Sequence, residues 1–379
     1  MLPCQRHLFD IPEDVAYLNC AYMSPLMRSV VEEGNRGVAR KAHPWEITPD
    51  KFFTGAEEFR TTAAQLIGAT ADCVAIVPSA SYGIATAALN LPVRKGQRIL
   101  VLDEQFPSNY YPWQRLAEDR GATLSIVPWP DDGDWTVATL KVLRDDVAIA
   151  ALPNVQWTSG GRLDLVRIGD ACRKFGTALV LDLTQSLGAL PFNVREVQPD
   201  FAVAANYKWL MGPYTTGLLY VAPKWHGGRP VEENWIQRAN ARDFAALILY
   251  TDKYDDGARR YDMGERSNFA LLPAATRALK QLQDWGIAEI SGTAGALNRQ
   301  LALMAAEIGF SSPPEHLRAP HYLCLRRKAG IPEGLSETLA SQKVFVSVRG
   351  SSIRVTPHLY NSANDVERLI ACLRQIGGP

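Results

Sequence analysis

A lysine and an aspartate that follow short apolar segments are the residues of this sequence best suited to chemistry. Lys208 stands among aromatic and apolar neighbours in the segment N-Y-K-W-L-M-G-P. Removal of water around an amine lowers its pKa, and the neutral amine can form a Schiff base with a carbonyl compound. Asp182 ends the apolar segment A-L-V-L, where a carboxylate is costly unless it meets a cation such as a protonated pyridine nitrogen. Taken singly, Lys208 could be a solvated surface charge and Asp182 a helix cap.

Two further segments are suited to binding anionic groups. Ser79, Ala80 and Ser81 follow an apolar run and open a helix-like pattern, and the N-terminus of a helix offers backbone N–H groups to a phosphate. Arg354 lies in the strand-like segment S-I-R-V-T-P-H, where its guanidinium suits bidentate binding of a carboxylate. The alternatives are N-capping by Ser79 or Ser81 and an ordinary structural ion pair at Arg354.

The elements that must position these residues alternate between short apolar runs and helical patterns. The strand candidates are residues 74–77, 98–102, 124–127, 147–152, 178–183, 201–204 and 218–221. Helical patterns cover residues 82–89 and 163–175. Runs that are apolar on both faces are typical of a mostly parallel sheet with helices on both sides, so we predict an α/β fold. In open sheets of this kind ligands bind beyond the carboxyl ends of the strands, where Ser81, Asp182 and Lys208 fall.

The pattern changes after about residue 222 and predicts a smaller α/β domain. Residues 224–262 have no clean period, helical patterns follow at 271–285 and 287–308, and a closing helix covers about 363–376. Strand-like segments lie between these helices, at residues 322–326, 344–348 and 352–356. We expect an N-terminal segment (1–45) that packs on the small domain, a large cofactor-binding domain (46–250) and a small C-terminal domain (251–379).

The composition argues against several classes of protein. Forty basic residues balance forty acidic ones, so no net charge attracts nucleic acid or an anionic membrane. The apolar runs are far shorter than a membrane span, and the N-terminus does not have the pattern of a signal peptide. Six cysteines at irregular spacings contain no C-x-x-C pair, which argues against a metal site or a disulfide framework. We therefore expect a soluble, cytoplasmic protein with reduced thiols and no nucleic-acid or membrane partner.

Three motifs, in this order, resemble class V aminotransferases of the fold-type I pyridoxal-phosphate enzymes. They are D-x-x-Q-S-x-G at residues 182–188, Y-K-W-L-x-G-P at 207–213 and I-R-V-T-P-H-L-Y-N at 353–361. The group includes cysteine desulfurases, kynureninases and isopenicillin N epimerase. The resemblance spans nearly the whole chain and implies a mostly parallel sheet with helices on both faces and a smaller C-terminal α/β domain.

The resemblance also implies roles at the cofactor, pyridoxal 5′-phosphate. Lys208 would hold it as a Schiff base and take the Cα proton of the substrate, and Asp182 would keep its pyridine nitrogen protonated. The other cofactor-binding residues would be Ala80 and Ser81 at the phosphate, Phe106 on the ring, Gln156 and Trp157 at the ring edge, Gln185 at the phenolic oxygen, and Tyr207 through its hydroxyl.

Substrate and subunit roles follow from the same resemblance. Arg354 would bind the α-carboxylate of an amino acid, helped by Asn19. Because the sites of this family form at a dimer interface, Gly264, Ser267 and Asn268 would complete the phosphate site of the partner subunit in a homodimer.

The reaction is less well determined by the sequence than the cofactor is. Transamination through a Cα carbanion is the first expectation, with a β- or γ-lyase of kynureninase-like or C–S lyase type, or an epimerase, as alternatives. Desulfurases usually have His where Tyr207 stands, and they need a loop cysteine that residues 344–353 lack. Cys324 lies in an apparently buried strand, so persulfide chemistry is not expected. The alternative that is not an enzyme is a cofactor-binding regulatory or structural subunit, against which the combination of Lys208, Asp182 and Arg354 argues.

Overall fold

The computed structural model of the chain describes residues 1–377. Its strands are β1 (Ala16–Tyr17), β2 (Val74–Val77), β3 (Arg98–Leu102), β4 (Thr123–Val127), β5 (Val147–Pro153), β6 (Ala178–Asp182), β7 (Phe201–Ala205), β8 (Gly217–Val221), β9 (Phe310–Ser311), β10 (Leu323–Arg327), β11 (Val344–Phe345), β12 (Ser347–Arg349) and β13 (Ser352–Val355). Its α-helices are α1 (Arg28–Arg40), α2 (Lys51–Ile67), α3 (Ala80–Asn90), α4 (Tyr111–Arg120), α5 (Trp135–Val142), α6 (Leu165–Phe175), α7 (Val194–Val197), α8 (Leu271–Trp285), α9 (Ile287–Ala306), α10 (Leu335–Ser341) and α11 (Ala363–Gly377).

A seven-stranded sheet in the order β2-β8-β7-β6-β5-β3-β4 forms the large layer of the fold. The strands β7, β6, β5, β3 and β4 run parallel to one another, and β8 is antiparallel to both of its neighbours. Alternate side chains enter different cores: Val74 and Ile76 pack on one face, and Ala75 and Val77 on the other. Both faces are therefore covered, and the predicted mostly parallel sheet is confirmed.

The edge strand β4 differs from the predicted pattern of runs buried on both faces. Thr123 and Ile126 are exposed, and Leu124 is only half-buried. Because β4 has a partner strand on one side only, the sheet ends here and helices cover it incompletely. The expectation of two apolar faces was wrong for this strand.

A second, antiparallel sheet in the order β12-β13-β10-β9 forms the smaller layer, and a separate two-stranded sheet joins β1 to β11. The predicted single segment 344–348 is thus two strands, and they belong to different sheets. Asn19 forms an isolated bridge with Thr356, so the N-terminal segment lies against the small sheet. Helix α8 shares its core with α2 through Leu279 and Ala63, although the predicted division puts it in the small domain. The domain boundaries stay a prediction.

The helices carry no membrane signal. None of those within residues 1–377 is long and apolar enough to cross a bilayer.

Candidate active site

Two adjoining cavities lie at the carboxyl ends of the parallel strands. The first, which we call the inner cavity, has a volume of about 200 Å³. It is lined by Pro78, Ser79, Ala80, Ser81, Gln105, Phe106, Ser108, Pro153, Val155, Trp157, Asp182, Thr184, Gln185, Ala205, Tyr207, Lys208, Tyr214 and Thr215. The second, the outer cavity, has a volume of about 360 Å³. It is lined by Ala21, Tyr22, Met23, Phe106, Trp157, Gln185, Tyr207, Lys208, Tyr214, Arg349 and Arg354.

Lys208 faces both cavities from the turn that follows β7. Its side chain is buried, and Nζ lies 5.4 Å from the ring centres of Phe106 and of Tyr207. Burial lowers the pKa of the amine to about 8, against the opposing charge of Asp182, and Arg354 lowers it further. The neutral form that attacks a carbonyl carbon is therefore more accessible near neutral pH than in an ordinary lysine.

Asp182 is the last residue of β6, and its carboxylate is buried at the floor of the inner cavity. Its Oδ1 accepts a hydrogen bond from the backbone N–H of Thr184 at 3.0 Å, and Oδ2 accepts none from residues 1–377. Burial raises the pKa of this carboxyl, while the contacts with Thr184 and the charge of Lys208 oppose the rise. A cation beside Oδ2 would keep the group ionised, as the sequence predicts for a pyridine nitrogen.

The N-terminus of α3 opens onto the inner cavity. Ser79 caps this helix, since its Oγ accepts from the backbone N–H of Tyr82 at 3.2 Å, and its hydroxyl lies 2.8 Å from that of Ser81. Capping and anion binding are compatible here, because the next N–H groups remain at the helix end. Gly83 allows this approach: a Cβ there would lie 2.6 Å from a methyl of Val203 in β7. The helix can therefore start close above the sheet.

The predicted ring contacts are only partly brought together. The rings of Phe106 and Trp157 meet edge to face with centres 5.4 Å apart, and both line the two cavities. Gln185 also lines them, but its side chain already donates to the carbonyl of Ala21 at 3.2 Å and accepts from the indole of Trp209 at 3.0 Å. One amide hydrogen of Gln185 remains for a further acceptor.

Gln156 does not line either cavity, contrary to the expected contact with the cofactor edge. Its buried Oε1 accepts from the backbone N–H groups of Thr158 and Ser159 at 2.9 and 2.7 Å. Gln156 therefore holds the turn that carries Trp157, and the periodicity of the sequence gave no sign of this turn.

Arg354 projects from β13 into the outer cavity and has no acidic partner among residues 1–377. Its Nη1 donates to the carbonyl of Trp157 at 3.3 Å and to the hydroxyl of Tyr322 at 3.2 Å. Its buried Nε has no partner within the described chain. The alternative of an ordinary ion pair fails here, and the guanidinium is placed to receive a carboxylate.

Asn19 lies behind the outer cavity instead of in its lining. Its Oδ1 accepts from the hydroxyl of Ser347 at 2.8 Å, which ties the N-terminal segment to β12. The structure thus places Asn19 beside the strands that carry Arg354, with its oxygen already engaged.

The three residues expected at the partner subunit's phosphate do not line either cavity of their own chain. Ser267 donates to the carbonyl of Phe52, and the side chain of Asn268 accepts from Leu271 at 2.8 Å and so caps α8. Gly264 donates to Glu232, whose carboxylate also accepts from Tyr82 in the first turn of α3. Their predicted role between subunits stays a prediction.

Sequence reasoning missed Tyr22, Met23, Tyr214 and Arg349 in the outer lining. Only Arg349 carries a signal that could have been used. It stands in R-G-S-S-I-R, where a tight turn between two strands brings it to the same end of the sheet as Arg354.

A larger groove of about 900 Å³ lies at the opposite edge of the large sheet, near Ala148 and Ala178 at the starts of β5 and β6. None of the predicted site residues lines it. Its acidic residue Asp200 is paired with Lys224 at 2.6 Å, so this groove offers no comparable set of unpaired groups.

Comparison with known proteins identifies the family. A family model described as aminotransferase class-V matches residues 31–369. The chain belongs to this family. Its cofactor is pyridoxal 5′-phosphate, and the resemblance seen in the motifs is confirmed.

Several relatives match nearly the whole chain. An uncharacterised aminotransferase of Bacillus subtilis (strain 168) is 27% identical over 92% of this chain and 90% of its own. A probable cysteine desulfurase of Pyrococcus abyssi is 25% identical over 84% of this chain and 82% of its own. A kynureninase of Bacillus cereus is 25% identical over 93% of this chain and 83% of its own.

Solved structures confirm the fold. The apo cysteine desulfurase of Thermococcus onnurineus NA1 gives a TM-score of 0.84 at 19% identity and covers 99% of this chain and 98% of its own. The cystine C-S lyase C-DES, solved with its product cysteine persulfide, gives 0.84 at 18% identity, over 96% of this chain and 98% of its own. The expected fold-type I architecture is confirmed.

The residues of the inner cavity fit pyridoxal phosphate. An amine with a lowered pKa faces the cavity at Lys208, and Oδ2 of Asp182 accepts no hydrogen bond from the described chain. Hydroxyl and N–H groups for a phosphate lie at Ser81, and Phe106 offers an aromatic face. These four features correspond to the carbonyl, ring nitrogen, phosphate and ring of the cofactor.

Proposed function

We propose that this protein removes the Cα proton of an α-amino acid and then breaks a bond of its side chain, as a lyase does. The observation that carries the proposal is the placement of Lys208 between Asp182 on one side and Arg354 on the other. The relatives named kynureninase and cysteine desulfurase favour a lyase over a transferase.

Each residue would act on a different part of the reaction. When bound, pyridoxal phosphate supplies a ring that takes up the electron pair left at Cα. Asp182 would hold a proton on the ring nitrogen, and the N-terminus of α3 at Ser81 would fix the phosphate. Arg354 would bind the α-carboxylate in a fixed orientation, so that the Cα–H bond points at the amine of Lys208. Lys208, neutral once its pKa is lowered, would accept that proton.

The rings around Lys208 would keep the reaction dry. Phe106, Trp157 and Tyr207 line both cavities, and Tyr214 adds a further ring, 4.5 Å from that of Tyr207. Exclusion of water strengthens the electrostatic contacts of Asp182 within the site.

Transamination, the first expectation from the sequence, is the second candidate. The Bacillus subtilis relative named as an aminotransferase supports it. The two reactions share the loss of the Cα proton and part afterwards, when a lyase loses a side-chain group and a transaminase returns the proton elsewhere.

A homodimer with its sites at the interface belongs to the same proposal. Exposed apolar residues near 244–250 and at the cavity mouth, among them Ile248, Tyr250 and Tyr22, support an association of this kind. Gly264, Ser267 and Asn268 would then reach the phosphate of the partner's site.

The proposal is tested on the purified protein loaded with pyridoxal phosphate. We expect a yellow protein, and we expect borohydride to fix the cofactor on the peptide that contains Lys208. A panel of amino acids should then yield a keto acid and ammonia, or a cleaved side chain, without conversion of the cofactor to its amine form. Stoichiometric conversion to the amine form would favour transamination, and attachment to another lysine would overturn the site.

A further inference from the structure

The outer cavity is positively charged without compensation. Its lining contains three cationic side chains, those of Lys208, Arg349 and Arg354, and within residues 1–377 it contains neither aspartate nor glutamate. Asp182, the nearest acid to Lys208 in the site, lines the inner cavity only. The outer cavity therefore offers its ligand an excess of positive charge.

Arg349 is the least expected of these three residues. It ends β12, where it pairs in register with Ser352, and its exposed side chain reaches the mouth of the cavity. Its Nη1 donates to the carbonyl of Val348 at 2.8 Å, and it forms no ion pair with the rest of the described chain. Burial of part of the side chain and the charge of Arg354 both lower the pKa of Arg349.

Two guanidinium groups that face one cavity repel each other, and an anionic ligand relieves that repulsion. A single α-carboxylate bound by Arg354 brings one negative charge. The charge of Lys208 does not help to hold a second acid, because its amine is the group that acts on the cofactor and on Cα. A second negative charge on the ligand is therefore needed to match Arg349.

We propose that the substrate is an α-amino acid whose side chain ends in a second acidic group, bound by Arg349 at the cavity mouth while Arg354 binds the α-carboxylate. This inference rests on the proposed function, since it takes the Cα of an amino acid to lie at Lys208. It applies equally to a lyase and to a transaminase, because it concerns recognition and not the fate of the carbanion.

Binding of unreactive acids to the cofactor-loaded protein separates recognition from reaction. Calorimetric titration would compare succinate and glutarate with butyrate, which has one carboxylate. We expect the better dicarboxylate to bind the unmodified protein at least roughly tenfold more tightly than butyrate, as for one added charge-assisted contact. In Arg349→Gln the preference should disappear while butyrate binding stays unchanged. Arg354→Gln should weaken both kinds of acid.

A control variant and a second readout guard against trivial effects. Arg115→Gln removes an exposed arginine of α4 that lines neither cavity, so it should keep the preference for dicarboxylates. In turnover, Arg349→Gln should raise the KM for glutamate or aspartate with little change for glutamine or asparagine.

The outcomes can be told apart. Equal binding of dicarboxylates and butyrate to the unmodified protein, or a preference that survives in Arg349→Gln, would overturn the inference while leaving the proposed function in place. Failure of the protein to take up pyridoxal phosphate, seen beforehand in its absorbance, would overturn the proposed function and the inference with it.

Discussion

The inner and outer cavities share Lys208 but are built in different ways. The inner cavity is formed by segments that follow strands of one sheet, with Asp182 and Lys208 both buried there. The outer cavity combines the N-terminal segment, at Tyr22, with the turn of the small sheet that carries Arg349. A group at the end of a buried strand is fixed by the sheet, whereas groups from three parts of the chain can be exchanged separately.

This difference suggests a division of labour. The inner cavity would supply chemistry that every amino acid undergoes, and the outer cavity would select the amino acid. Substitutions in the inner cavity should then reduce the rate for every substrate alike. Substitutions in the outer cavity should affect substrates unequally, and each of the following experiments tests one side of that distinction.

The largest effect is expected from Asp182→Asn in the inner cavity. Asparagine can still accept the hydrogen bond from Thr184 but carries no charge, so the ring nitrogen would lose its ionic partner. We expect kcat to fall by roughly 10²–10³-fold for every amino acid tested, as for a preorganised charge. Absorbance and circular dichroism should show a folded protein with its cofactor bound.

A matched control is available at the N-terminus of α6. Asp164 caps that helix, accepting from Arg167 at 3.1 Å, and lines neither cavity. Asp164→Asn should leave kcat unchanged. If Asp182→Asn behaved like this control, Asp182 would be only a cap and the inner cavity would lose its chemical role.

The next effect concerns stability and the buried amine of Lys208. Its pKa is lowered to about 8 from 10.5 in the folded protein, so between these pH values the unfolded chain holds a proton that the folded chain has lost. The free energy of unfolding of the cofactor-free protein should therefore rise with pH across this window. The contribution is at most about 3 kcal/mol, since one pKa unit corresponds to roughly 1.4 kcal/mol.

Denaturant unfolding at pH 8 and pH 10 would measure this effect. Lys208→Met lacks the group, so the difference in stability between the variant and the unmodified protein should shrink as the pH rises. Lys141→Met, at an exposed position on α5, should show no such trend. A difference for Lys208→Met that is independent of pH would mean that the amine is not desolvated in the folded state.

The contrast between the cavities also sets how far the sequence could predict the site. The strand ends at Asp182 and the turn at Lys208 follow from apolar runs, because a run buried on both faces has few alternatives. The tasks of Gln156 and Asn19 could not be predicted, since both depend on which backbone groups the tertiary fold brings near them. Arg349 was missed because its importance depends on the distance between segments and not on any local pattern.

In the outer cavity, Arg354→Lys should have a smaller and more selective effect. Lysine keeps the charge but loses the planar fork that fixes a carboxylate, so positioning should suffer more than cofactor binding. We expect kcat/KM for amino acids to fall by at least roughly tenfold, which corresponds to about 1.4 kcal/mol, with a normal cofactor spectrum.

Amines without a carboxylate provide the decisive comparison for Arg354. They should be converted equally well by the variant and by the unmodified protein. Arg326→Lys is the matched control, because this arginine of β10 donates to Ser352 at 3.0 Å and lines neither cavity. Equal losses for amines and amino acids in Arg354→Lys would make Arg354 a structural residue.

The smallest effect is expected from Cys324→Ser, which tests whether sulfur transfer belongs to this site at all. Cys324 is buried in β10 and lines neither cavity, and its thiol donates to the carbonyl of Thr158 at 3.2 Å. Burial raises the pKa of this thiol to about 12, so it is not the thiolate that would accept sulfur. Serine can replace the hydrogen bond, and kcat/KM on the true substrate should stay within about twofold, a change well below 1 kcal/mol. Alkylation of the folded protein should label Cys4, the exposed cysteine, and mass spectrometry should find no persulfide on Cys324 after turnover. Loss of activity in Cys324→Ser together with such a persulfide would move this residue into the reaction and would replace the proposed side-chain cleavage by a desulfurase mechanism.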